Sequence, residues 1–345
     1  MKKNTDYITL LSVISAIAVV FLHAQFAFFA FSTDRYWFTA TIIRGIFYFA
    51  VPVFFMITGA TLIDYKDRYS TKDFFYKRIK KVVIPFLIWS IIALLYRLFY
   101  TKSINFSSLN FQSIFNGIME SKYQNVYWYF PVCISVYLCI PLFASIQKDK
   151  RKNIFTYLVI AAFVLNILLP FINNILKLKL TLPIKISVAS DYLLFVLAGY
   201  LLSHYELNKK KRIGIYLLGL VGLLMETFGT YFLSIHQNTI VYTFSGYCNV
   251  PCVLYSISIF VFIRYFGAKV MNCSVINKLI KCLGKYTFAI YLIHMFVRES
   301  LVKQFNLNTI TIMYRLFSPF LVIGICIIIT IIFRKIKYIK EIVPE

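Results

Sequence analysis

Ten apolar runs, at about 8–31, 41–63, 82–101, 126–146, 153–171, 187–204, 213–234, 248–267, 286–302 and 314–334, set what this chain can fold into. Each is close to or above the about 20 residues an α-helix needs to cross ~30 Å of hydrocarbon. Lipid offers the backbone no hydrogen-bond partners, so segments of this kind cross as helices. The spacing therefore predicts an all-α, polytopic membrane protein, a bundle of about ten transmembrane helices. Composition agrees, with 60% hydrophobic and only 14% charged residues, where soluble domains carry roughly one-quarter charged. The first run is too long for the core of a signal peptide and lacks a small-residue cleavage site, so it counts as a span. No Pro/Gly/Ser-rich linker or low-complexity tract divides the chain, and residues 1–345 are expected to form a single integral-membrane domain.

Charge sets the expected orientation. The formal net charge of +24 would point a soluble protein toward nucleic acid; between apolar spans it reads as topogenic charge, and no nucleic-acid partner is expected. If Lys2 and Lys3 are cytoplasmic, so are the segments 64–81, 147–152, 205–212, 264–285 and the tail from 334. Together these hold 26 of the 37 Lys and Arg residues, as the positive-inside rule requires. Both termini are then cytoplasmic, in a multi-pass protein of the cell membrane with lipid as its first partner.

Ionisable groups inside a bilayer are expensive and tend to be functional. His23 lies ~22 Å along the first span at 1.5 Å per residue, on a narrow face shared with Ser12, Ser15 and Val19. That face should point into the bundle. The ninth span carries Thr287, Tyr291, His294 and Arg298 at helical spacing, and the seventh sets Glu226 on one face with Gly219, Gly222 and Gly229, small residues that permit close helix approach. Asp191 follows Ser187 by one turn, and Arg44 and Arg97 stand near outer ends. Arg44, Asp191, Glu226, Tyr291 and Arg298 are accordingly candidates for a substrate pocket in the outer half. Structural roles stand beside these: an intramembrane histidine can bond a neighbouring helix, Asp191 and Glu226 can be ion-pair partners, and Arg298, Glu299 and Arg315 can snorkel to the interface. His204 and His236 fall at ends or loops and read as solvated.

Lys77, Arg78, Lys80 and Lys81 crowd together just before Pro85 and the third span. They suit an anchor to anionic lipid or a site for a polyphosphate ligand. The seven cysteines lie mostly in apolar runs; Cys248 and Cys252 share an i, i+4 face without a nearby His or acid, so no metal site is expected.

Several of these stretches, taken in order, resemble the integral-membrane acyltransferase family 3: Ile17 to His23; Val51-Pro52-Val53-Phe54-Phe55-Met56-Ile57-Thr58-Gly59; Phe75-Tyr76-Lys77-Arg78 through Pro85-Phe86; Trp128-Tyr129-Phe130 with Tyr137-Leu138 and Pro141-Leu142; and Leu283-Gly284-Lys285-Tyr286 through His294. The resemblance covers most of the chain. It implies a ten-span enzyme that takes an acyl group, in the first instance acetyl, from acyl-CoA and places it on a hydroxyl of a glycan or lipid-linked sugar. It also implies that His23 is the essential first-span histidine, that His294 is the histidine near the family's end, and that Lys77 and Arg78 are its donor-associated basic pair; Lys81, in the same cation cluster, is expected to contact the donor's phosphates with them. Many members carry Arg or Lys eleven positions before the first-span histidine; Ser12 stands there in this chain, and Arg44 is one candidate to supply that charge. Some relatives carry an extracytoplasmic hydrolase-like domain, which this chain does not show. Two other functions fit the same polar cluster: an exporter of polysaccharide or lipid-linked sugar that binds its cargo without chemistry, and a membrane scaffold.

Overall fold

The computed structural model describes residues 6–337 and 339–344; Lys2 and Lys3, which enter the orientation argument, lie outside them. The described chain is helices and turns without a strand. Its main helices are α1 (Asp6–Ala24), α2 (Arg35–Asp67), α3 (Thr71–Tyr100), α4 (Asn125–Ser145), α5 (Lys148–Ile175), α6 (Tyr192–His204), α7 (Lys209–Gln237), α8 (Val250–Val270), α9 (Ser274–Gly284), α10 (Thr287–Phe305) and α11 (Ile312–Lys335). Eight are long and apolar enough to cross a membrane alone, and α9 with α10, bent by 62°, makes a ninth. The remaining apolar run is the short α6, of 13 residues. Each of the ten runs thus coincides with a helix, and the chain is a polytopic, all-helical membrane protein.

The boundaries differ from the sequence reading where side chains intervene. The first run does not continue as helix to residue 31. Gln25 turns its Nε2 back to the Phe21 carbonyl at 3.4 Å, answering one of the orphan acceptors of a helix end. A short turn over Phe26–Phe29 follows. The basic stretch before the third span is itself helical: Ser70 caps α3 by accepting from the Asp73 N–H at 3.1 Å, and the helix runs through the cations into the membrane. It widens to a π-turn at Ile79–Val83 because Pro85 has no N–H for the Lys81 carbonyl and its ring crowds that oxygen. Pro52 likewise leaves the Tyr48 carbonyl without its helical donor, at the break between the two halves of α2; the Cys252 thiol, 3.8 Å away, faces that oxygen. The segment 264–285 holds the end of α8 and the amphipathic α9, whose Val275 and Leu279 are exposed, as suits a helix lying in the interface.

Small residues set the helix spacing. A Cβ on Gly59 would stand 1.7 Å from the Val196 carbonyl oxygen, and one on Gly199 2.0 Å from that of Met56, so α2 and α6 meet backbone to backbone. Gly219 and Gly222 bring α7 against Ser258 and Pro251 of α8 in the same manner.

Ion pairs join the basic segments into one face. Asp67 meets Lys148 at 2.5 Å, Asp64 meets Arg151 at 2.6 Å and His204 at 2.7 Å, and Glu206 meets Arg264 at 2.6 Å. Asp6 meets Lys281 at 3.2 Å, and Glu341 meets Lys80 at 3.6 Å. The exposed pairs, Asp67–Lys148 and Glu341–Lys80, contribute ~0–1 kcal/mol each and register this face, whereas Arg151 is buried in its pair with Asp64. His204 is therefore not simply solvated: it is stacked on Tyr200 with ring centroids 4.0 Å apart and bound to Asp64.

Candidate active site

A cavity of about 310 Å³ lies among α1, α2, α3, α4 and α10. At the charged face its wall is Arg78, Lys81 and Pro344; away from that face it is bounded by His23, Trp128 and Tyr247. On α4 the lining runs from Trp128 through Cys133 to Tyr137, ~14 Å along the axis at 1.5 Å per residue. Val51 and Phe54 of α2 and Thr287, Phe288 and Tyr291 of α10 close the sides. Stretches far apart in sequence that carry the family resemblance therefore converge on one void.

His23 reaches this cavity because α1 carries it on the face of Ser15 and Val19, both buried. His294, on α10, stands behind it with 0% exposure, the two rings 5.3 Å apart between centroids. Its Nδ1 sits 2.9 Å from the Ile290 carbonyl oxygen and 2.8 Å from that of Tyr291. Carbonyls only accept, so Nδ1 carries the proton. Nε2 is then the basic nitrogen of the ring, and it is buried without a hydrogen-bond partner among the described residues. Tyr291 is held with its hydroxyl donating to the Val126 carbonyl, which ties α10 to the start of α4 beside the histidines.

The other candidates separate into three places. Arg44 and Glu226 are brought together at 3.5 Å. Arg44 also donates to Ser245 Oγ at 2.9 Å and lies over the Phe28 and Tyr48 rings at 4.3 and 4.2 Å. This pair does not line the cavity; Tyr48 stacks on Tyr247, centroids 4.5 Å apart, and Tyr247 forms the wall. Arg298 stays with the histidines, one turn beyond His294 and 4.1 Å over the Phe26 ring, its Nε buried and unpartnered. Asp191 is exposed at the start of α6, with φ +50°, and does not line the cavity.

Of the basic cluster, Arg78 and Lys81 line the cavity. Lys77 does not; its Nζ lies 3.7 Å over the Tyr69 ring. Arg78 lies 5.6 Å over Tyr137, and its Nε is buried without a partner among the described residues. Ser12 donates to the Ile8 carbonyl at 3.0 Å within its own helix, and the charge of Arg44 is already answered by Glu226, so Arg298 is the cation that stands by the histidines.

Two expectations for the outer charges change. Arg315 does not snorkel: it is 1% exposed and donates to the carbonyls of Ile310 and Tyr36 and to Thr39 Oγ1 at 3.1, 3.0 and 2.7 Å. Glu299 takes a bidentate pair from Arg97 at 2.7 and 2.9 Å. Sequence reasoning missed Gln25, fully buried two residues after His23, which donates to the Arg315 carbonyl at 3.2 Å and keeps Oε1 unpartnered among the described residues. A lone amide so near the histidine in an apolar run was the available signal. It also missed Tyr247, for which a loop residue gives none.

A base in a mostly apolar cavity, with cations at one end and a second imidazole behind it, is suited to taking a proton from a hydroxyl while a long anionic donor approaches from the cationic end. The family model for an acyltransferase domain, that of acyltransferase family 3, matches residues 5–334. No curated protein and no solved structure matches the chain significantly. With the histidines, the basic cluster and every described cavity-lining residue but Pro344 inside the matched region, the chain belongs to acyltransferase family 3 and is an integral-membrane acyltransferase.

Proposed function

We propose that this protein moves an acyl group, acetyl in the simplest case, from cytoplasmic acyl-CoA to a hydroxyl of a glycan or lipid-linked sugar presented at the other side of the membrane. The observation that carries the reading is the single cavity with Arg78 and Lys81 at one end and His23 toward the other. The phosphates of CoA fit the cationic end, where charged hydrogen bonds are strongest, and the slender arm bearing the thioester fits the apolar run between. His23 takes the proton of the acceptor hydroxyl as its oxygen attacks the thioester carbonyl; the carbon–sulfur bond breaks, and the proton goes on to the leaving thiolate, so that ester and CoA thiol are the products. His294, held as the Nδ1–H tautomer, steadies the charged ring through Nε2. Arg44, Glu226, Tyr291 and Arg298 are the acceptor-side candidates nearest this centre.

In this reading the face joined by ion pairs is cytoplasmic. Purified protein supplied with radiolabelled acetyl-CoA and membranes of the cells that make it should release CoA thiol and label the glycan or glycolipid fraction. Absence of both would end the proposal. Outside labelling of single cysteines placed at 66–80 by an impermeant reagent would reverse the orientation.

A further inference from the structure

Beside the catalytic cavity lies a second hollow of about 400 Å³, and the two share Lys81 and Pro344 as a common wall. Its other walls are mostly cationic: among the described residues Lys80, Arg334 and Lys340 face it beside Val343, against the carboxylate of Glu341, which reaches Lys80 at 3.6 Å. Half of this hollow is built by the chain beyond α11. That stretch is pinned in place: Arg334 donates to the carbonyls of Val343 and Pro344 at 3.2 and 3.1 Å, and the Trp89 indole N–H donates to that of Ile342 at 2.9 Å. Val343 is wholly buried. Residues 342–344 thus stand as a wall between the third span and the last.

From this arrangement we infer that residues 340–344, with Lys80 and Arg334, form the seat of the donor's 3′-phosphorylated adenosine, while Arg78 and Lys81 at the mouth of the inner cavity meet its diphosphate and the cavity itself takes the acyl-bearing arm. The inference rests on the acyl-CoA reading above and goes beyond it by assigning a second compartment that the basic cluster at 77–81 alone does not supply. Size points the same way: about 310 Å³ is the lower limit of the ~300–1,000 Å³ typical of small-molecule sites, room for a narrow arm but not for a nucleotide as well. Charge agrees, because among the described residues the inner lining holds two cations, Arg78 and Lys81, both at its charged end, whereas four, Lys81 among them, surround the outer hollow. Lysines act there as point charges toward phosphate, and Arg334 as a planar donor already committed to holding the wall.

The test uses the full-length protein and three probes: CoA, 3′-dephospho-CoA, and acetyl-pantetheine, a thioester without the nucleotide. Wild type should bind CoA roughly tenfold more tightly than dephospho-CoA. The double variant Lys80→Gln, Lys340→Gln should lose about tenfold in CoA affinity, lose most of the preference for the 3′-phosphate and show a shallower salt dependence. Its KM for acetyl-pantetheine should stay at the wild-type value, which also certifies that it is folded. Because Lys80 and Lys340 are exposed, their replacement leaves the wall intact; Lys340→Glu provides a second variant, expected to weaken CoA further. If wild type binds CoA and both variants bind it equally well, the tail is not the nucleotide seat and the donor reading survives. If wild type binds none of the three probes, the donor reading falls and this inference with it.

Discussion

Replacing His23 separates a base from a structural imidazole. The ring borders the cavity and stands 5.3 Å from that of His294. Its loss should leave the helices in place, because the nearby contacts that tie them, Tyr291 to Val126 and Tyr127 to Leu292, do not involve it. General-base catalysis is typically worth ~10²–10⁴ in rate, which corresponds to ~2.7–5.4 kcal/mol of barrier at 1.36 kcal/mol per decade. His23→Gln keeps a hydrogen-bonding group of similar reach but cannot take a proton at neutral pH. We expect kcat to fall by ~10²–10⁴ with CoA affinity and thermal midpoint unchanged. If His294 acts through His23, then His23→Ala, His294→Ala should be little worse than His23→Ala alone, since residues acting as a unit are far from additive. Independent roles would instead multiply the two losses. The assay is single-turnover transfer of labelled acetyl by protein in lipid nanodiscs, alongside CoA binding and a melting curve. Near-normal transfer by a folded His23→Gln protein would refute the assignment.

Arg78→Ala should weaken CoA binding about tenfold or more, the equivalent of ~1.5–3 kcal/mol for a charged hydrogen bond; titration calorimetry measures it, and unchanged affinity would leave Arg78 a packing residue over Tyr137. Glu226→Gln leaves Arg44 buried with its countercharge gone, which should cost ~3–5 kcal/mol, read as a lowered melting midpoint, while the double variant Arg44→Met, Glu226→Met should recover most of it. Gly199→Ala forces a methyl group against the Met56 carbonyl, 2.0 Å away, and should abolish monodisperse protein in gel filtration, whereas Gly214→Ala, with open space around it, should behave as wild type.

The helical frame was legible because crossing a bilayer is a local demand, met residue by residue along each apolar run. Helix ends were less so. That α1 stops at Ala24 depends on Gln25 finding both the Phe21 carbonyl and, 290 residues away, that of Arg315. The two histidines were found because an imidazole inside hydrocarbon is costly wherever it points. What no single span reveals is which charges meet. Arg44 and Glu226 pair across 182 residues; Asp191, at the start of a neighbouring span, turns outward. Arg315 is held by α2, whose N-terminal turns extend beyond the apolar run that marks it in the sequence. The tail that closes the second hollow carries no apolar run, and only its seat against Trp89 and Arg334 makes it part of the site.

Among the described residues, the lining that leads from Arg78 and Lys81 toward His23 holds no fixed ion; its walls there are aliphatic, aromatic, hydroxyl and thiol groups. For a cargo that crosses the membrane this matters electrically. Moving one elementary charge through the full field costs or returns ~2.3 kcal/mol per 100 mV. A neutral acyl group passing along such a lining, with its phosphates left at the cationic end, moves none. Turnover in sealed vesicles should therefore be the same whether the membrane is polarised inside-negative, inside-positive or not at all, and acylation of the far side would draw on the thioester bond alone rather than on the membrane potential.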